Sequence, residues 1–409
     1  APPSCAGMTY AGGLPTMTTS APFKFIVSAA VAVGALCAGA SLAEAGTYVQ
    51  TNLVSNVSGL AEVTDPSLTN SWGVSFIPGI TPFWVSNQAS NTSTLYSATS
   101  ATSVTKVPLT VAIPTTVRGS QGPTGQVSNS SSSSFMLSDG SPALFIFANL
   151  NGQISAWNLG LSPLTKATVQ WTTPGALYTG LAINQADTML YAANNAAGTV
   201  NVFNSSFTPT LPGSFVTPTS IKNLGLVPFN VEDIAGNVYV TYAPPTHPLQ
   251  TTATAGQGAI AEFTENGTFE KVVVPGGMGE PLASPWGLAL APATFGKFGG
   301  DLLVGNFSYV DSGIDAIDPT TGALVGMIPI DVGVGNKPGG LWALTFGGGG
   351  KDGSPNVLYF TDGINGETDG LFGAIESVPE PSTWLMMLTG FGALGLAARR
   401  RRRLHSSIA

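Results

Sequence analysis

Along most of the chain, apolar runs of five to seven residues are cut short by Gly, Pro, Asn or Asp, and almost nowhere do apolar residues recur at helical spacing. Short runs of Val, Ile, Leu, Phe and Tyr bounded by turn residues predict strands, so the segment 46–377 reads as all-β. The runs also repeat. SWGVSF, PFWVSN and TLYS (Ser71 to Ser97) align with PTGQV and ALFIFANLNGQISAWN (Pro123 to Asn158) and with TGLAI and TMLYAANNAAGTVNVFN (Thr179 to Asn204). The pattern returns at Pro228 to Thr264, Pro285 to Asp318 and Gly340 to Glu376. Each copy has a Gly-led apolar strand, a second strand ending in Asn or Asp, and a hairpin into a third.

Six copies at a spacing of about 50 residues, with a more variable fourth strand between them, predict a six-bladed β-propeller. A single four-stranded sheet leaves both faces wet, so the copies must stack and close into a ring. The last copy stops after its third strand. Tyr48 to Leu53 is therefore expected to supply the outer strand of the final blade and close the ring.

Both ends break the pattern. From Met17, Lys24 leads into the apolar run Phe25 to Ala35 and then to Leu42-Ala43-Glu44-Ala45, the layout of a secretory signal peptide over 17–45. Residues 1–16 read as an upstream extension, disordered or ahead of the true start. At the other end, Pro379-Glu380-Pro381 precedes an apolar run, Trp384 to Ala398, and then five arginines, Arg399 to Arg403, with a short tail over 404–409. The run has 15 residues, short of the roughly 20 needed for a stable span. The arginines set its C-terminal side in the cytoplasm. A short transmembrane-like helix that inserts transiently is the expectation. The order of these parts over 378–403 resembles the PEP-CTERM sorting signal of Gram-negative bacteria. The resemblance implies exosortase as processing partner, cleavage near Pro379, Glu380 and Pro381, and a destination at the cell envelope, surface or extracellular matrix.

Setting the ends aside changes the charge. The whole chain has a net charge of −8; without Lys24, the five arginines, Glu44 and Glu380, 8 basic and 20 acidic residues remain, a net charge of −12. Such a surface repels nucleic acid and anionic lipid. Cys5 and Cys37 both lie outside 46–377, so no disulfide within that segment supports the fold.

Candidate chemistry is sparse. Asn87, Asn149, Asn194, Asn306 and Asp362 end the second strands, with Tyr242 as the exception. In an NHL/SMP-30-like blade, that end shares a rim with the start of the first strand, where Asn70, Trp72, Glu232, Asp233, Trp286 and Trp342 are expected. Two readings stay open. Oxygens from several blades can converge on a hard cation such as Ca²⁺, with the three tryptophans as a platform for a sugar. Alternatively, Asn and Asp recur because they close tight turns. His247, the one histidine inside 46–377, sits in APPTHPL and reads as a surface turn. Gly347 to Lys351 mimics a phosphate loop, but Asp352 stands where Ser or Thr is required, so it reads as a flexible turn. DGINGETDG, from Asp362 to Gly370, lacks the alternation of an EF-hand loop.

The phrases DPSLTNSWG (Asp65 to Gly73), ALFIFANLNGQISAWN, NVYVTYA (Asn237 to Ala243), SPWGLALAPATFGKFGGDLLVGNF (Ser284 to Phe307) and DGLFGAI (Asp369 to Ile375) resemble an uncharacterised β-propeller family, some of whose members end in a PEP-CTERM tail. The resemblance implies the fold and no mechanism. The chain departs from the family at Ser308 to Ser312, in place of a shorter turn, and at Asp369, where a histidine is expected. The expected function is a surface or matrix propeller that binds polysaccharide or protein without catalysis. The alternative is a Ca²⁺-dependent hydrolase or lactonase that uses the rim.

Overall fold

The computed structural model describes residues 48–378. The extension 1–16, the signal-peptide segment 17–45, Pro379 to Pro381 and the apolar run Trp384 to Ala398 lie outside the described residues. Six sheets form, five of four antiparallel strands and one of five in which the two N-terminal strands join the last three of the chain. Blade 1 begins with Ser71–Ser75, blade 2 with Pro123–Ser128 and blade 3 with Tyr178–Ile183. Blades 4, 5 and 6 begin with Val227–Ile234, Pro285–Leu290 and Leu341–Phe346. Each of these first strands contacts the first strand of the next blade, and that of blade 6 contacts blade 1. The protein is an all-β six-bladed propeller. Among the described residues no helix is long and apolar enough to cross a membrane.

In blades 1, 2, 3 and 5 a Gly follows the channel-facing residue and explains how the inner strands approach so closely. A Cβ on Gly73 would lie 2.6 Å from the Thr124 carbonyl oxygen; on Gly125, 2.2 Å from the Leu181 nitrogen; on Gly287, 2.2 Å from the Trp342 carbonyl oxygen. Only glycine fits at such contacts. Polar side chains then stitch neighbouring blades: Thr124 donates to the Tyr178 carbonyl (2.8 Å), Thr179 to Phe229 (2.6 Å) and the Asn230 amide to Trp286 (2.9 Å).

Six apolar clusters fill the six interfaces between blades. The seam between blades 6 and 1, for example, packs Leu53, Val54, Tyr359 and Phe372 against Phe83, Val85 and Tyr96. Burial of this kind is the main stabilising term in a fold whose blades cannot stand alone.

Ring closure follows the sequence expectation. Tyr48–Ser55 pairs antiparallel with Leu371–Ser377, from Tyr48 opposite Ser377 to Ser55 opposite Leu371. A second short strand, Val63–Thr64, pairs in parallel outside it. The Tyr48 hydroxyl donates to the Phe295 carbonyl and accepts from the Phe298 amide, both at 3.0 Å, which ties the closing strand to blade 5.

The run Gly347 to Lys351, expected to be a flexible turn, forms with Asp352 a clip between blades 6 and 1. Asp352 is fully buried and accepts the amides of Gly79 (2.8 Å) and Gly350 (2.9 Å). Ala98 exchanges backbone hydrogen bonds with Lys351 and Gly353. The glycines let the backbone pass close to blade 1 while the aspartate collects its amides.

Candidate functional site: the mouth of the central channel

The rim where second strands end and first strands begin surrounds a cavity of about 960 Å³. Trp72 and Phe229 line its apolar floor, and Gln88, Gln121, Asn195, His247 and Glu367 are among its polar groups. The channel beneath is filled by an aromatic cluster. Trp342 stacks on Trp72 with centroids 3.4 Å apart, and Trp286 stands edge-on to Trp342 at 5.6 Å. The three tryptophans are buried to within 4%. They form a plug rather than an open platform, because four of the six inner strands place a large ring, Trp72, Phe229, Trp286 or Trp342, in one cluster. Trp72 alone of the three reaches the cavity wall, and its indole N–H has no partner within the protein.

At one side of the mouth, four residues distant in sequence meet. Glu367 lies in the loop after Asp362, where Asn365, Gly366 and Glu367 take successive left-handed conformations with φ of 59°, 68° and 65°. Such backbone is strained for a glutamate and holds its side chain in one direction. Asn70 of the loop before blade 1 donates to one carboxylate oxygen (3.0 Å), and the hydroxyl of Tyr309 in blade 5 donates to the other (2.7 Å). The His247 imidazole, from blade 4, meets that second oxygen through Nε2. Glu367 raises the histidine pKa above its ordinary value, against a smaller opposing effect of burial. Burial first, then the charge of Glu367, pushes the Tyr309 phenol well up.

The loops are built for this. The turn His247–Thr251 is held where Gln250 donates to the Pro244 carbonyl (2.8 Å), Ser308 to Ala253 (2.6 Å), and the Tyr309 amide to Thr251 (2.9 Å). The Ser308 to Ser312 segment, a departure from the resembled family, thus supports His247 and supplies Tyr309. Asp369, the other departure, receives the amides of Asn56 (2.7 Å) and Asn365 (2.9 Å) and fixes the Glu367 loop.

The expected oxygen ring does not form a common site. Asn87 donates to Thr92 and Thr94 of its own hairpin, and Asn149 to the Pro114 carbonyl. Asn194 accepts from Leu177 and Ala197 and donates to Asn201. Asn306 accepts from Ala283 and donates to Asp315. Asn194 and Asn306 thus cap loops by accepting backbone amides, whereas Oδ1 of Asn87 and of Asn149 is buried without a partner in the protein. Asp362 is fully buried with neither oxygen partnered, and burial followed by the charge of Glu367 pushes its pKa up to about 7. Glu232 and Asp233 lie at the far end of the first strand of blade 4, opposite Tyr239 and Val238. Glu232 is five residues beyond the rim residue Val227, about 16 Å along an extended strand. There Asp233 accepts the Gly236 amide of the hairpin (3.0 Å). Among the described residues no group of three or more His, Cys, Asp or Glu is placed to hold a metal ion.

His247 was expected on a surface turn and does lie, half exposed, in the turn His247–Thr251, whereas Glu367 lay in the stretch Asp362 to Gly370 and Tyr309 in Ser308 to Ser312, which were singled out without a role in a site, and Gln88 was not singled out. A further cue was that His247 is the sole histidine of the segment 46–377.

Residues 377–403 match the PEP-CTERM protein-sorting motif. The motif implies processing by exosortase and export to the cell envelope or surface in Gram-negative bacteria. The chain is also similar to two uncharacterized proteins of Acanthamoeba polyphaga mimivirus. One is 29% identical over 338 residues, 79% of this chain and 78% of the relative. The other is 27% identical over 344 residues, 80% and 86% of the two chains. Among solved structures, the chain is similar to Kuenenia stuttgartiensis hydrazine synthase, 13% identical with a TM-score of 0.45, covering 75% of this chain and 79% of that one. A protein of unknown function from Bacteroides thetaiotaomicron VPI-5482 has the same identity and TM-score and covers 80% and 76%. Neither structural likeness bears on activity.

Proposed function

We propose that this is an exported, exosortase-processed surface or matrix propeller of the uncharacterised family it resembles, and that it binds extracellular polysaccharide or protein in the channel-mouth cavity without catalysis. The signal-peptide segment 17–45 starts export, and the segment 378–403 inserts transiently before cleavage near Pro379 to Pro381. The observation that carries the reading is the direction of the cavity. The third strand of blade 6 leaves the cavity rim at Leu371, opposite Asp362, and ends at Ser377, opposite Tyr48. Both ends of the described chain therefore leave from the rim opposite the cavity. A protein held by its sorting tail presents the cavity away from the membrane, where an extracellular polymer can reach it.

The lining supports binding. A mixed wall of apolar rings and side-chain amides suits a ligand with both apolar faces and hydroxyl or amide groups. The Asn70 amide and the Tyr309 hydroxyl already donate to Glu367, so these two are not free to bond a developing oxyanion. Binding of full-length protein to purified extracellular polysaccharides, measured by calorimetry, tests the reading with Ala197→Trp, which fills the cavity wall. Loss of binding in that variant is expected. Unchanged binding, or breakdown of the ligand during the titration, would overturn it.

A further inference from the structure

Glu367 is the one acidic residue lining the cavity among the described residues, and His247 the one basic residue. The carboxylate is held from behind by Asn70 and Tyr309, on two other blades, and by its left-handed backbone. Its remaining contact is different in kind. The His247 side chain is 55% exposed, against 11% for Glu367, and it comes from a short proline-flanked turn. The imidazole lies tilted over Phe307, with centroids 5.9 Å apart. A cation beside a fixed carboxylate and an aromatic ring is the arrangement by which proteins recognise ammonium groups. Here the protein's own histidine occupies that position.

We propose that the cavity takes a ligand bearing a primary ammonium group, of the class of deacetylated amino-sugar polymers, and that this group seats on Glu367 in the place His247 now holds. The proposal deepens the binding reading above and rests on it. Charge argues in the same direction, since the segment 46–377 has a net charge of −12 when counted as above, and such a surface attracts polycations and repels polyanions. An anionic ligand would have to seat on His247, whose charge is already answered by Glu367, and would meet that carboxylate at close range. A cationic ligand needs only to displace an exposed side chain. Trp72 and Phe229 then give the apolar faces of the sugar rings a surface to lie against.

Calorimetry on the full-length protein with glucosamine trisaccharide and its fully N-acetylated counterpart separates the outcomes. The amine form is expected to bind about tenfold or more tightly. His247→Ala, which empties the seat, strengthens that binding, while Glu367→Gln weakens it about tenfold and erases the preference. Thermal melts show whether each variant is folded, and if Glu367→Gln is not, the direction of the His247→Ala change decides. Equal binding of the two trisaccharides, or weaker binding in His247→Ala, overturns the proposal. If neither trisaccharide binds wild type or His247→Ala while another polymer does, the ammonium seat falls and binding in the cavity stands.

Discussion

The indole N–H of Trp342 donates to Oδ1 of Asn70 at 3.2 Å, so the channel plug and the cavity rim share one residue. Asn70 also donates from Nδ2 to Gln88 (2.8 Å) and to Glu367 (3.0 Å), and it sits at φ 46°, a left-handed conformation that asparagine tolerates better than most residues. One side chain thus joins the seam of blades 6 and 1 to the floor and wall of the site.

Asn70→Ala should therefore cost more than an ordinary polar truncation. It leaves a buried indole N–H without its acceptor and puts alanine in left-handed backbone, together about 2–4 kcal/mol. Asn70→Gly keeps the backbone and loses only the side-chain bonds, so its melting temperature should fall between those of wild type and Asn70→Ala. Equal losses in the two variants would show that backbone strain plays no part.

Asp362 makes stability depend on pH. Its folded pKa is about 7 against an ordinary value of 3.8, so between these values the folded state binds more protons than the unfolded. The sign follows: this group's contribution is most favourable below about pH 4 and is lost as pH rises through about 7. Asp362→Asn gives blade 6 the residue that ends the second strand in four other blades. It should leave stability at pH 4 nearly unchanged and raise it at pH 8 by on the order of 2–4 kcal/mol. Denaturant melts at the two pH values check this, and parallel profiles for wild type and variant would contradict it.

The fold was largely legible because a propeller repeats one local pattern. The six copies of the pattern and the missing final strand could be counted, and Tyr48 closes the ring as that count requires. The site was not legible, because ring curvature rather than local pattern brings Asn70, His247, Tyr309 and Glu367 together. Glu232 and Asp233 were misplaced for a related reason. Blade 4 has Asn230 where its neighbours have glycine, and without that marker the distance of the acidic pair from the rim could not be judged. The tryptophans were expected at the rim as a platform, and they instead stack on one another as a plug, because their packing depends on side-chain size across three blades. Residues 347–351 misled because a glycine run reads as freedom, whereas here it permits close approach.

Gly180 tests how tightly the inner strands must approach. A Cβ there would lie 2.0 Å from Oδ1 of Asn230 and 2.8 Å from its Cα. Asn230 also donates to Trp286, so the side chain cannot move aside without breaking the stitch to blade 5. Gly180→Ala should destabilise by about 2 kcal/mol or more through overpacking. Gly236→Ala, in open space at φ 84°, should cost only about 1 kcal/mol of backbone strain. Comparing the two by chemical denaturation separates crowding from conformational cost, and a reversed order would refute the close-approach argument.

Asp352 tests whether the clip and the closing strand act as independent fastenings of the ring. Its carboxylate satisfies two backbone amides, Gly79 in blade 1 and Gly350 in its own loop, with no exposure to solvent. Asp352→Ala strands both amides and should cost about 2–4 kcal/mol. Tyr48→Phe removes only the hydroxyl that bridges Phe295 and Phe298, and with the ring still stacked on Phe298 it should cost about 1 kcal/mol. The two lie on opposite sides of blade 6, facing blade 1 and blade 5, and share no partner, so a protein that unfolds as one unit should show additive losses in the double variant. If blade 6 detaches first, the Asp352→Ala background should hide the Tyr48 effect, and hydrogen exchange would reveal early opening in Leu341–Phe346 and Val357–Asp362.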